Sequence, residues 1–185
     1  LENLEIDAGL TYLDNEPLGR VQTVPLYSEE YRLLTSSDAP LGNRDSVTWA
    51  EVGKVPLCLL TPDMQNRRII DGLLRAAGAE SSPTLESDSI LVLFAHVRTG
   101  RWASVMPAKL ASVLGLTDTV RAIPIVKPEV THSIGLVVPH RNPLTPLINA
   151  LVNEAKQLAP ILGSDSPPKP RRKRDMKTRS ADRTL

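Results

Sequence analysis

The strongest constraint on this chain is a continuous stretch in which an apolar run turns, through a short polar link, into an amphipathic segment. Residues 57–60, Leu-Cys-Leu-Leu, carry no charge and read as a buried strand. Thr61-Pro62-Asp63 follows, and then Ile69, Ile70, Leu73, Leu74 and Ala77 recur at helical spacing. Thr61 is the expected N-cap, Pro62 fits the first helical position, Asp63 suits the positive end of the helix dipole, and Gly78 closes the far end. A strand feeding a helix N-terminus is where an open α/β sheet holds a small ligand, often an anion.

The rest of the chain repeats this alternation. An opening strand over residues 4–10 precedes a turn cluster at 14–19, and two extended pieces, 21–26 and 31–35, join through 27–30. A loop at 36–45 leads to a helical turn at 49–52. A short strand at 83–86 precedes a helix capped by Ser87 or Ser89, with Ile90, Leu93, Phe94 and Val97 on one face and Thr99-Gly100 at its end. Residues 102–106 are extended, Pro107 starts a helix through Leu114, and 120–126 and 133–138 are extended again. Thr145-Pro146 then opens a helix with an apolar stripe of Leu144, Leu147, Ile148, Leu151, Val152, Ala155 and Leu158. Strands alternating with helices imply parallel βαβ units in a doubly wound sheet.

Composition narrows the function classes. The 185 residues are 41% hydrophobic, no apolar run approaches the roughly 18 residues of a membrane span, and the chain does not open with a signal peptide, so a cytoplasmic location is the default. The single cysteine, Cys58, lies inside an apolar strand, which fits a reducing compartment and excludes an internal disulfide framework. Residues 1–162 carry 14 Lys+Arg against 18 Asp+Glu, while residues 163–185 carry 8 against 3. That tail is rich in Ser, Pro, Lys and Arg and lacks aromatics, so a solvated disordered segment is expected, with nonspecific phosphate contact from 169–174 the alternative. Beginning at Leu1 with a strand almost at once, the sequence reads as a fragment of something longer.

Chemistry-bearing patterns are sparse. His96, His132 and His140 lack metal-ligand spacing, and Ser104 has no nucleophile-elbow glycines around it. Paired carboxylates, a Walker loop and GxGxxG do not occur, so neither catalysis nor a cofactor is expected. Arg67 and Arg68, beyond the first helical turn, are expected in solvent or at an interface.

Five words, in order, resemble the effector-binding domain of LysR-type transcriptional regulators: "EIDAGL", "VPLYSEEYRLLTSSDAPL", "VTWAEVGKVPLCLL", "HVRTGRWASVMPAKLA" and "AIPIVKPEVTHSIGLVVPHRNPLTPLINALVNEAK". The resemblance covers residues 1 to about 160. It implies an α/β, periplasmic-binding-protein-like (type 2) fold with a complete second subdomain at 29–126 and a partial first one at 1–28 and 127–162, followed by the tail at 163–185. It further implies that the chain senses a small-molecule effector, a small anion among the candidates, and meets DNA only through a winged helix-turn-helix not in this sequence. No membrane partner is implied, and a homo-oligomer, dimer or tetramer, is implied for the full-length protein. Where the family usually has Gly-x-Gly-Ile, this chain has Gly100-Arg101-Trp102-Ala103, which implies a narrower cleft and a small effector.

In a two-lobed binder the strand ends face each other across the cleft. Thr11, Tyr12, Thr61, Met64, Gln65 and Trp102 are therefore the candidate effector-binding residues. Thr11 and Thr61 could equally cap turns, because capping and anion binding use the same chemistry. A free-standing solute-binding lobe is the alternative function. An enzyme of similar architecture would need an acid/base pair in the cleft, which the sequence does not supply.

Overall fold

One strand organises the molecule. In the computed structural model, which describes residues 6–80, 82–114, 116, 119–141 and 143–164, β2 runs unbroken over Val21–Ser36. The sequence reading expects two pieces here, because Glu29 and Glu30 interrupt the apolar pattern. The backbone stays extended since β8 (Thr131–Pro139) pairs with it antiparallel all the way to Glu30. Beyond Glu30 its partners change: Tyr31–Leu34 pair with β6 (Ser104–Pro107), and Arg32–Ser36 pair with β7 (Val120–Val126), both antiparallel. The register shifts by one residue between Pro25 and Tyr27.

The sheet is consequently mixed rather than wholly parallel. Parallel pairing occurs between β3 (Val47–Thr48) and β7, between β4 (Cys58–Leu60) and β5 (Leu85–Ser87), and at the Leu57–Ala103 bridge beside β6. The β4–α2–β5 and β5–α3–β6 crossovers use α2 (Gln65–Ala76) and α3 (Ile90–Val97), while α1 (Trp49–Val52) and α4 (Ala108–Val113) follow β3 and β6 directly. Alternating patterning identifies these units. It cannot reveal that a long antiparallel strand threads between them.

Leu33 and Leu34 show why that strand is fixed in place. Both are fully buried, and being adjacent they point to opposite faces. Leu33 packs with Trp49, Ile70, Leu74, Val105 and Ile123 beneath α1 and α2; Leu34 packs with Cys58, Leu93, Val97 and Met106 beneath α3 and α4. Each such side chain contributes about 1.5–3 kcal/mol by burial. At the other end, Val24, Leu136 and Val138 pack against Ile148, Val152 and Ala155 of α5 (Pro146–Ser164), forming a separate core.

Four local expectations need correction. The opening strand is β1, Gly9–Tyr12, and it pairs antiparallel with β8; Leu10 is 69% exposed and Ile6 is 53% exposed, so it is not an interior strand of a parallel sheet, and Leu4 lies outside the described residues. Helix α2 begins later than expected: Thr61 and Pro62 form a turn closed by the Met64 N–H donating to the Thr61 carbonyl, and the N-cap position falls on Met64, which offers no side-chain acceptor. Ser89 holds the N-cap position of α3 without a side-chain cap bond; its own N–H donates to Ser87 Oγ. The α5 stripe is half buried, with Ile148, Val152 and Ala155 inward and Leu147, Leu151 and Leu158 exposed, because only one sheet face lies under the helix. The tail from residue 165 lies outside the described residues. Gly78 and Gly100 do close α2 and α3, at φ +74° and +75°, where a side chain would be strained.

Arg67 also departs from expectation. It is only 5% exposed and is held by Asp71 Oδ1 at 2.7 Å, Glu86 Oε1 at 2.6 Å and the Leu60 carbonyl at 2.7 Å, tying α2 to β4 and β5. Arg67→Ala is expected to destabilise the fold by roughly 3 kcal/mol, since it strands partners of a buried charge; urea unfolding of the variant against the wild type measures it. A second expectation concerns acid. Glu51 closes a capping box on α1, accepting from the Thr48 N–H and Thr48 hydroxyl and pairing with Arg44, and these bonds lower its carboxyl to about 2. The stabilisation is therefore present above the ordinary glutamate value and lost as pH falls toward 2. Glu51→Gln should flatten the fall in thermal midpoint between about pH 5 and pH 2.5, and an unchanged slope would show the box contributes nothing.

Candidate functional site

The C-terminal end of β1 and the N-terminal end of α2 come together. Thr11 and Tyr12 are the last two residues of β1, within the strand rather than after it, held by pairing with Gly135 and Ile134 of β8. Gly135 is required at that crossing: a Cβ there would meet the Val24 carbonyl oxygen at 2.7 Å and Leu13 Cδ1 at 2.5 Å. From this edge Thr11 Oγ1 donates to Gln65 Oε1 at 3.0 Å, and Asn66 Nδ2 donates to the Tyr12 hydroxyl at 3.3 Å. At the rim, Arg68 Nε donates to Glu16 Oε1 at 2.9 Å, and Arg68 Nη1 donates to the Asp63 carbonyl at 2.6 Å.

Beneath these contacts is an aromatic floor. Tyr31 donates to the Tyr12 hydroxyl at 3.1 Å, and the His132 ring meets Tyr12 and Tyr31 edge-on at 5.9 and 6.0 Å. Burial, helped by the neighbouring Tyr12 hydroxyl, pushes the Tyr31 phenol well above its ordinary value, so it stays a neutral donor. His132 Nδ1 lies 3.2 Å from Asp14 Oδ1, and Asp14 Oδ2 accepts the Ser133 N–H at 3.0 Å. Partial burial would raise the Asp14 carboxyl, but the bonds from Ser133 and His132 outweigh it and hold the group below its usual range. His132 Nε2 is buried with no hydrogen-bond partner.

The first turn of α2 contains no acidic residue, and Met64 leaves its leading N–H groups without a side-chain cap. A site of this composition can exchange hydrogen bonds with a small polar molecule: hydroxyls from Thr11, Tyr12 and Tyr31, amides from Gln65 and Asn66, and the open helix end. Among the described residues, no group of three or more His, Cys, Asp or Glu is placed to hold a metal ion.

Of the six expected residues, the structure brings Thr11, Tyr12 and Gln65 together. Thr61 is half-buried at the preceding turn, where its carbonyl accepts from Met64. Met64 and Trp102 both pack against the Cys58–Leu93 cluster, with the Trp102 ring meeting His96 edge-on at 5.4 Å. Asn66, Tyr31, His132 and Asp14 were not among the expected residues. Asn66 could have been found as the next residue of the helix's first turn; His132 could not, because its place opposite Glu29 depends on the β2–β8 register.

Comparison with known proteins bears on the family and the fold. Residues 1–160 match the family described as LysR substrate binding domain. The chain is 28% identical over 116 residues to a probable nitrogen assimilation transcriptional activator of Synechococcus elongatus, covering 62% of this chain and 37% of that protein. It is 30% identical over 121 residues to the hydrogen peroxide-inducible genes activator of Escherichia coli O157:H7, covering 65% of this chain and 40% of that protein. The chain thus spans less than half the length of these curated relatives. Among solved structures, the regulatory domain of Synechocystis CcmR in complex with 2-PG superposes with a TM-score of 0.75 at 12% identity, covering 85% of this chain and 76% of that one. The fold is the periplasmic-binding-protein-like type 2 fold, and with 160 of its 185 residues matched the chain belongs to the LysR substrate binding domain family.

Proposed function

We propose that this chain is the effector-sensing part of a LysR-type transcriptional regulator and is not an enzyme. In this reading the β1–β8–α5 end, residues 1–28 and 127–162, is one subdomain and residues 29–126 the other. A small polar effector, a small anion among the candidates, enters where Thr11, Tyr12 and Gln65 meet and extends toward Thr61, Met64 and Trp102. The observation that carries this is the direct Thr11–Gln65 hydrogen bond, seconded by Asn66–Tyr12, at an uncapped helix start. An effector that inserts there replaces bonds between the two ends with bonds to itself, which changes their relative angle. A DNA-binding domain elsewhere in the full regulator then reads that angle. The regulator would act in the cytoplasm as a homo-oligomer; no helix among the described residues is long and apolar enough to cross a membrane.

The test is a thermal-shift screen of small carboxylates and phosphates, 2-PG included, on the wild-type chain and on Thr11→Val and Gln65→Ala. A compound at about 100 times its dissociation constant should stabilise the wild type by roughly 2.7 kcal/mol. Each variant should lose most of that shift while folding normally. Equal shifts in all three would place the effector elsewhere.

The relative named for hydrogen peroxide raises a redox alternative, and one observation speaks against Cys58 as its centre. Cys58 is the sole cysteine of the chain; it is fully buried beneath α3, and burial pushes its thiol up to about 11. The thiolate is the reactive form, so burial and the raised thiol both work against peroxide chemistry at this sulfur. Folded protein held in millimolar peroxide should retain an unmodified Cys58 by intact-mass analysis; a sulfenic, sulfinic or disulfide-linked product would overturn the reading.

A further inference from the structure

A cavity of about 710 Å³ lies between α4, the C-terminal end of α5 and the Pro25–Glu30 segment of β2. It shares no residue with the six effector candidates, and its volume is within the range of small-molecule sites. Its polar centre is a cation position. The Lys109 ammonium, reaching over from α4, donates to the Leu162 carbonyl in the last turn of α5 at 2.7 Å and sits 5.0 Å from the centre of the Tyr27 ring. Glu29, only 3% exposed, lines the same space with Glu30 and accepts the Lys109 backbone N–H, not its ammonium, at 3.3 Å. A helix-terminal carbonyl and an aromatic face, contributed by two different elements, are groups that recognise an ammonium ion, and the two carboxylates lining the space favour a cation there. The neighbouring Leu26, Val113 and Leu162 supply apolar wall for a short alkyl chain.

We propose that this cavity is a second ligand site, selective for primary alkylammonium compounds, whose charge position is held by the protein's own Lys109 until such a ligand takes it. The contact Lys109 makes also joins α4 to α5, so a ligand that displaces it releases one end of the molecule from the other. This site is independent of the Thr11–Gln65 reading and would stand if that reading failed.

Lys109→Met removes the tethered ammonium and keeps the volume. At pH 8 and constant ionic strength, the thermal midpoint of this variant should rise by several degrees on addition of n-butylammonium chloride in the tens of millimolar. Uncharged n-butanol at the same concentration should give no rise, and wild type, whose position is filled, should respond weakly to either. Adding Glu29→Gln to the variant should remove most of the butylammonium response. If the variant does not fold alone, recovery of folded protein on refolding with butylammonium but not butanol is the equivalent result. Equal effects of amine and alcohol, an equal response in wild type and variant, or no recovery with either compound would overturn the proposal.

Discussion

Everything in this molecule hangs on β2 being one strand with two sets of partners. Its first half is paired to β8 over the α5 core, its second half to β6 and β7 between two further cores. The chain crosses between these separately packed ends twice, along β2 and again between β7 and β8, and extended crossings of this kind yield most readily to bending and twisting. The two ends are then positioned by whatever else bridges them. At one place these bridges are Thr11–Gln65, Asn66–Tyr12 and Arg68–Glu16; at another, Lys109–Leu162. Each is a hydrogen bond or ion pair at a partly solvated position, worth on the order of 1 kcal/mol. Weak bridges across strong cores are what a ligand of ordinary affinity can rearrange.

The polar groups near these bridges divide by how they are satisfied. Arg67, one residue before Arg68, is buried and fully engaged within its own end, so it fixes α2 on the sheet. Arg68 reaches across to Glu16 at a site where both side chains are 43% exposed. Two adjacent arginines thus have opposite settings, one buried and fixing the helix on its own sheet, the other exposed and paired to the loop after β1. His132, with Nδ1 beside Asp14 and Nε2 unpartnered, sits beneath both tyrosines and links the aromatic floor to the β1 side.

Much of this was legible in the sequence. The strand–turn–helix at 57–78, the glycine stops at Gly78 and Gly100, and the helices over 90–97 and 146–158 follow from spacing that depends only on local periodicity. The Thr11–Tyr12–Gln65 convergence followed from putting strand ends at a cleft. What was not legible depends on partners distant in sequence. The unity of β2 rests on β8, a hundred residues away, and the burial of Arg67 rests on Glu86 and the Leu60 carbonyl. Which leucines of α5 face inward rests on where the sheet stops beneath it. The late start of α2 is the local exception. Thr61-Pro62 has every mark of a helix start, but the chain spends those residues on a turn, which carries Gln65 and Asn66 to within reach of β1.

The register shift between Pro25 and Tyr27 has a bearing on which changes this chain can absorb. Side chains of a strand alternate between faces, so one extra residue reverses the phase of everything beyond it. Because of the shift, Val24, opposite Leu136, shares a face with Tyr27, opposite Ile134, and with Glu29, opposite His132, and onward to Tyr31 and Leu33. The odd-numbered row that builds the aromatic floor, the ammonium position and the first core is therefore in phase with the even-numbered row over α5 only through Leu26. Loss of that one residue would turn Tyr27, Glu29, Tyr31 and Leu33 to the opposite face together, with every side chain's chemistry intact. Across this crossing, chain length is under tighter constraint than residue identity.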